Sequence, residues 1–381
     1  YKRQANGRSA TAAPSASRGA DTASSAQALP PPAFASVPGD FRPSSVTFIS
    51  TKTGWVIGQA GTPGHCATRY CTSVAWTLDA GGTWHGLPAP ETGPADGATG
   101  VSQIRFLNGV NGWAFGPQLY ATHDGGHDWA QVGTGGLRVT DLETVGDRAF
   151  ALFASCAGTG AAFAAGCASY TLYSSPAAAD SWTPVGAATS GLAGGAASMV
   201  LTGTRGYLLA PDRMLYSGPV NGGAAWQPAA RVPCPVGQPL ADGQPTGALL
   251  AAATGGNLVL VCASSSAPGT QQAKQVFTSA DGGLTWQHAG SGPNLGLATS
   301  VAATASGTYV LATGQGIDVR PAGTTTWQAA TLTGPAPTGG FGYVGMTTDA
   351  QGIALPADPA VGTVWFTFDG GMTWRPFGVS S

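Results

Sequence analysis

The stretch Ser279-Ala280-Asp281-Gly282-Gly283-Leu284-Thr285-Trp286 decides the fold. Its residue types describe a tight reversal followed by a strand. The Asp carboxylate can accept backbone N–H groups from the residues just ahead and close an Asx-type turn. Glycine supplies the positive φ that the reversal needs. The tryptophan then opens the next strand and offers a large apolar face to a neighbouring strand or sheet. Three more copies are Thr77-Leu78-Asp79-Ala80-Gly81-Gly82-Thr83-Trp84, Thr122-His123-Asp124-Gly125-Gly126-His127-Asp128-Trp129 and Thr367-Phe368-Asp369-Gly370-Gly371-Met372-Thr373-Trp374. In each, the Asp stands five residues before the Trp.

Working outward, seven tryptophans recur along the chain: Trp84, Trp129, Trp182, Trp226, Trp286, Trp327 and Trp374. Their intervals run from 41 residues (Trp286 to Trp327) to 60 residues (Trp226 to Trp286). Each interval holds short runs of strand formers. In the first, these are Val46-Thr47-Phe48-Ile49, Gly54-Trp55-Val56-Ile57-Gly58 and Val74-Ala75-Trp76-Thr77, ahead of Thr83-Trp84. The second repeats the plan with Ile104-Arg105-Phe106-Leu107, Gly112-Trp113-Ala114-Phe115-Gly116, Leu119-Tyr120-Ala121-Thr122 and Asp128-Trp129. Four short strands per repeat, with this period, predict an all-β, seven-bladed β-propeller of four-stranded antiparallel blades. A closed ring also leaves few exposed strand edges. The fourth repeat carries Asn221 at the turn, where an amide can still cap. The third and sixth carry Ala177 and Ala322 at the Asp offset, so their turns must close another way.

Composition agrees with this plan. Only 9% of the 381 residues are charged, against about 25% in ordinary chains. Glycine contributes 59 residues, as short strands joined by tight turns require. The net charge of −2 and the scarcity of lysine (Lys2, Lys52, Lys274) offer no basic stripe, so nucleic acid is not an expected partner. No run of 18 apolar residues is present, so no membrane-spanning helix is expected.

Residues 1–38 read as a disordered Ala/Ser/Pro-rich linker, and 39–381 as the propeller. The stretch from Ala10 to Ala28 is mostly Ala, Ser, Thr and Gly, and it is followed by Pro30-Pro31-Pro32. Such a segment buries too little apolar surface to offset its ordering entropy. The chain opens on Tyr1 rather than Met, and a cleaved signal peptide or membrane anchor is expected upstream. Six cysteines (Cys66, Cys71, Cys156, Cys167, Cys234, Cys262) form no C-x-x-C motif. They read as three disulfides in a secreted or surface-tethered protein. The absence of Asn-x-Ser/Thr sequons is compatible with a bacterial secreted protein.

The octapeptides resemble the Asp-box, or bacterial neuraminidase repeat (S-x-D-x-G-x-T-W), across about residues 40–381. That repeat occurs in sialidases, xyloglucan hydrolases, the sortilin ectodomain and the photosystem II stability and assembly factors. The Gly-Trp-x-x-Gly strand upstream of Asp-Gly-Gly-x-Thr-Trp makes this chain most similar to the assembly-factor type. The resemblance implies seven blades, and it implies that Asp79, Asp124, Asp281 and Asp369 are turn scaffold remote from the binding face. The same holds for the partner residues Trp84, Trp129, Trp286 and Trp374. A role in photosystem assembly is implied by the resemblance alone.

Strand order sets polarity. Loops joining strands 1–2 and 3–4 share one face, which carries the boxes. Loops joining 2–3 and 4–1 share the other, and all six cysteines fall there. Long stapled loops on one face point to a recognition surface, although disulfides also simply stiffen loops. Arg42, Arg69, Arg138, Arg213 and Arg231 fall in loops or strand entrances of that face, while Asp141 and Glu143 lie on the innermost strand of the third blade. Arginines gathered at a channel mouth would grip a carboxylate or an acidic peptide. A single surface arginine is more often simply solvated.

Catalysis has little support in the residues. Phe41-Arg42-Pro43 resembles the N-terminal Arg motif of sialidases, yet the chain holds only two glutamates, Glu91 and Glu143. Neither is matched by an evident Tyr partner, and no carboxylate pair is marked by sequence. Nucleophile elbows, H-E-x-x-H and calcium loops are absent. His123 and His127 flank a turn rather than a helix face, so no metal or other cofactor is expected. The favoured expectation is a monomeric, non-catalytic extracytoplasmic scaffold that binds a protein or glycan partner on the disulfide-bearing face. The alternative is a sialidase-like or other glycoside hydrolase.

Overall fold

The computed structural model describes residues 35–62, 64–96, 98–156, 167–185, 189–190, 197–234, 247–264 and 271–380. The expected N-terminal linker lies outside these residues up to position 34.

Among the described residues the strands form seven separate sheets, each with a four-strand core of antiparallel neighbours. Blade 1 runs Phe41–Phe48, Gly54–Thr62, Thr72–Thr77, His85–Leu87. Blade 2 runs Gln103–Phe106, Gly112–Phe115, Leu119–Thr122, Ala130–Gln131. The inner strands of blades 3 to 7 are Arg138–Val145, Ser198–Leu201, Ala248–Ala252, Ala298–Ala303 and Phe341–Met346. This is the seven-bladed propeller that the repeat predicts. One addition was not expected: Thr331–Leu332, on the way into blade 7, pairs in parallel with its outer strand Thr373–Gly378.

The core is divided among the seams. Seven clusters of buried side chains are present among the described residues, each spanning two adjacent blades. Each contains or packs against one repeat tryptophan, donated by the later blade in six and by blade 1 at the seam with blade 7. Trp129 joins Trp55, Ile57 and Val74 of blade 1, and Trp374 joins Ile317 and Val319 of blade 6. Trp84 of blade 1 packs with Val364 and Phe366 of blade 7 and closes the ring. The repeat Trp is therefore a seam residue. In blade 1 it sits just before the outer strand rather than opening it, since that strand starts at His85.

The turns explain the rest of the octapeptide. Asp281 Oδ1 accepts the N–H groups of Leu284 and Thr285 at 3.1 and 3.0 Å, and Oδ2 accepts the Thr285 hydroxyl at 2.6 Å. The Ser279 hydroxyl donates to Oδ1 at 2.7 Å and accepts Gly283 N–H at 2.8 Å. Thr77, Thr122 and Thr367 act in the same way in the other copies. Gly282 and Gly283 take φ of 74° and 86°, which L side chains rarely adopt. In blade 4, Asn221 Oδ1 accepts Gly223 N–H at 3.0 Å. Blade 3 lacks the Asp at this offset, and Asp180 (φ 44°) instead accepts Trp113 Nε1–H of blade 2 at 3.0 Å. Blade 6 closes through Thr324, whose N–H and hydroxyl both reach Pro321 O.

The glycine that opens the second strand has a different cause. A Cβ on Gly54 would stand 2.5 Å from the Phe48 ring, and one on Gly112 would stand 2.6 Å from the Phe106 ring. Close approach, not φ, selects glycine there.

Candidate functional site

The inner strands bring several charged groups to the axis. Asp141 and Glu143 are two apart on Arg138–Val145, so both face the same way. Arg105 comes from Gln103–Phe106 of blade 2, with its apolar neighbours Ile104 and Phe106 turned into the seam. Arg105 Nε and Nη2 both donate to Glu143 Oε1, each at 3.1 Å, and Nη1 donates to Ile104 O at 3.0 Å. The pair is mostly shielded, with side-chain exposures of 14% and 29%. Burial works against the Arg105 charge, but the Glu143 carboxylate outweighs it and holds the guanidinium above its ordinary value. Asp141 Oδ2 accepts Met199 N–H of blade 4 at 2.7 Å. Burial, together with Glu143, pushes the Asp141 carboxyl up to about 7.

Beside this cluster lies a cavity of ≈ 240 Å³ lined by Thr47, Arg105, Glu143, Thr144, Tyr343 and Thr347, among others. Its walls come from blades 1, 2, 3 and 7. Phe48, Phe106 and Met346 also line it, and each ends an inner strand at the loop toward the second strand. The cavity thus sits toward the turn-bearing face. Tyr343 has its phenol raised by burial.

The disulfides are Cys66–Cys71, Cys156–Cys167 and Cys234–Cys262. By strand order all three belong to the opposite face. Cys66 and Cys71 lie between the second and third strands of blade 1, and Cys156 and Cys167 hold the same place in blade 3. Cys262 lies near the end of Leu258–Ala263, the second strand of blade 5.

The arginines expected at that face are held locally. Arg69 meets Glu91 at 3.5 Å with both side chains 74% exposed, and its guanidinium lies over the Tyr70 ring. Arg231 Nη1 donates to Asp212 O. Arg213 is buried, which lowers its pKa. Arg42 and Arg138 are half-buried in strand pairs with Gln59 and Ala154. Sequence reasoning singled out Asp141 and Glu143 but missed Arg105 and Tyr343. The available signal was a charged or polar residue alternating with apolar ones on an inner strand, as in Ile104-Arg105-Phe106.

Lys274 was also missed as a structural element. It is 1% exposed, and its ammonium donates to the carbonyls of Gln272, Pro293, Leu295 and Gly296 at 3.0, 2.8, 3.4 and 2.7 Å. Burial lowers its pKa to about 8. Asp318 of blade 6 is pushed up to about 6 by burial, which Lys274 partly opposes.

Among the described residues, no group of three or more His, Cys, Asp or Glu could hold a metal ion, and no helix is long and apolar enough to cross a membrane. His123 is engaged otherwise. Its Nε2 faces Asp180 Oδ2 and its Nδ1 faces Asn111 Oδ1, both at 2.8 Å.

The fold defines the chain as a seven-bladed β-propeller. No protein-family model matches it, and no curated protein matches it in sequence. Solved structures do resemble it. One is YCF48 bound to D1 peptide, 16% identical, with a TM-score of 0.55 over 88% of this chain and 95% of that one. An ancestral GH74 enzyme is 12% identical with a TM-score of 0.57. The alignment covers 90% of this chain but only 47% of that enzyme. Puromycin hydrolase is 15% identical, with a TM-score of 0.52 over 89% of this chain and 54% of that one. At such identities the likeness is one of fold.

Proposed function

We propose that this chain is a non-catalytic, extracytoplasmic binding propeller that receives a segment of a partner protein at its axis. The observation that carries this reading is the polar cavity where four blades meet, beside the Arg105–Glu143 pair. A concave site with a few convergent polar groups is the usual form of a binding site. YCF48, which shares the fold, is seen with a peptide. Three disulfides accord with an oxidising compartment, and the stapled loops offer a second, flanking surface at the other end of the axis. The turns with Asp79, Asp124, Asp281 and Asp369 serve as scaffold of Asp-box type.

A hydrolytic alternative draws on one observation. Asp141, raised to about 7, stands two residues from Glu143, and a split carboxyl pair is what glycoside hydrolysis uses. Against it, Arg105 holds Glu143, and Met199 N–H fixes Asp141 as an acceptor. One oxygen of each carboxyl is therefore tied to the scaffold.

Selection of displayed peptides against the purified chain tests the binding reading. Enriched peptides should lose binding when Thr347→Trp fills the axial cavity. A panel of fluorogenic glycosides tests the alternative, and turnover abolished by Glu143→Gln or Arg42→Ala would replace the binding reading with a hydrolase.

A further inference from the structure

We propose that the axial cavity takes a cationic side chain, the ammonium of a lysine or the guanidinium of an arginine, carried by the partner segment. The inference rests on the reading that a protein segment binds at the axis, and it names the chemistry that segment must bring.

The open acceptor on Glu143 carries it first. The cavity wall holds the Glu143 carboxylate and the Arg105 guanidinium, and Asp141 stands two residues before Glu143 on the same strand. All three nitrogens of Arg105 already donate, two to Glu143 Oε1 and one to Ile104 O. Three of its five N–H groups are thus spent, two of them on Glu143, and an incoming anion would meet that carboxylate as a like charge. Glu143 is in the opposite condition. Both donors converge on Oε1, and among the described residues no donor meets Oε2. A carboxylate oxygen has room for two acceptances, and Glu143, 29% exposed and lining the cavity, can present this one to a guest.

The walls fit the same class of guest. Tyr343, Thr47, Thr144 and Thr347 supply hydroxyl oxygens, which accept from an ammonium or guanidinium. Phe48 and Phe106 supply apolar surface for a methylene stem. A space of ≈ 240 Å³ is too narrow for a helix, which is about 10–12 Å across, but it admits one long side chain. Asp141, two residues along the strand, is raised by burial and then by Glu143, so a cation held at Glu143 would ease that repulsion and draw off part of its proton.

The test uses the full chain and four short peptides, acetyl-Gly-X-Gly-amide with X as lysine, arginine, norleucine or glutamate. Calorimetry at pH 7 is run in two buffers of different ionisation enthalpy. The lysine or arginine peptide should bind at least about tenfold tighter than norleucine, with glutamate weakest. That preference should collapse in Glu143→Gln and weaken with salt. Proton release should be seen with wild type and lost in Asp141→Asn. Thr347→Trp, which leaves every charge in place, should block binding while the circular dichroism spectrum stays unchanged. Equal binding of lysine and norleucine peptides would overturn the cationic assignment and leave segment binding standing. A lysine preference that survives both Glu143→Gln and Thr347→Trp would place the cation site elsewhere and overturn it too. No binding of any peptide at millimolar concentration would overturn the assignment and the axial reading together.

Discussion

The indole N–H of Trp55 donates to the carbonyl of Gly125 at 3.1 Å, across the seam from blade 1 to the turn of blade 2. The Gly-Trp strand of one repeat thus serves the Asp-Gly-Gly turn of the next. Trp55→Phe should keep the packing, lose this bond, and cost about 0.5–1.5 kcal/mol. Trp55→Ala removes a side chain that is 2% exposed and should cost about 3–5 kcal/mol. Denaturant unfolding measures both. Equal losses would show that the bond, rather than the ring, dominates.

The turns predict an acid limb of stability. The hydroxyl and N–H of Thr285, with Ser279, hold the Asp281 carboxyl at about 2. Asp79, Asp124 and Asp369 are lowered as well, with hydrogen bonds outweighing burial. A folded pKa below the unfolded value of about 3.9 gives stability that is present above that value and lost as pH falls through the folded one. The melting temperature should therefore drop as pH falls from about 4 towards about 2. Asp281→Asn should start lower at pH 5 and fall less steeply.

Asp141 predicts the opposite slope. Its folded pKa of about 7 lies above the unfolded value, so its contribution is full below about 4 and declines as pH rises through 7. Asp141→Asn keeps an oxygen for Met199 N–H and removes the titration. The variant's denaturation midpoints at pH 5 and pH 8 should lie closer together than those of wild type.

Lys274 is a structural peg. Its ammonium gathers four carbonyls from the segment before its own strand and from the connection towards blade 6. Lys274→Met keeps much of the stem and leaves those oxygens facing a methyl group. A loss of about 2–5 kcal/mol is expected, since each dry carbonyl costs about 1–3 kcal/mol. A loss under about 1 kcal/mol would mean that water replaces the ammonium.

The disulfides should rank by the length of chain they enclose. Cys234–Cys262 spans 28 residues and Cys66–Cys71 spans 5. Loop entropy assigns about 3–4 kcal/mol to the first and about 2 to the second. Paired Cys→Ala replacements compared by denaturant unfolding check the order.

The scaffold was legible because one local chemical device recurs. Asp, Gly, Gly and Trp at fixed offsets mark a turn and then a seam, and neither needs distant information. Blades 3 and 4 were harder because other residues do the same work. Asp180 takes the place of a turn carbonyl such as that of Gly125 as the acceptor for a second-strand indole, here Trp113, and the Arg148 guanidinium lies against Gly222 of the next blade. The axial cluster was only half legible. Glu143 stood out as one of two glutamates, but its partner lies 38 residues away on another blade, and no local pattern joins them. Lys274 was invisible for a similar reason. Its partners are backbone carbonyls, which every residue carries alike.

Among the described residues, blade 1 is built wholly from the first part of the ring and blade 7 from the last, with no strand exchanged between them. Val37 and Val379 share the closing cluster, and Ala35 bridges Gly86 on the outer strand beside it. The join is therefore a seventh copy of an ordinary blade contact, fastened by the buried cluster and by Gln351 Nε2, which donates to Thr51 O at 2.9 Å. Such a ring has no privileged starting point. A gene rearranged to join the two ends with a short linker and to cut a 4–1 connection elsewhere would encode the same disc, begun at a different blade.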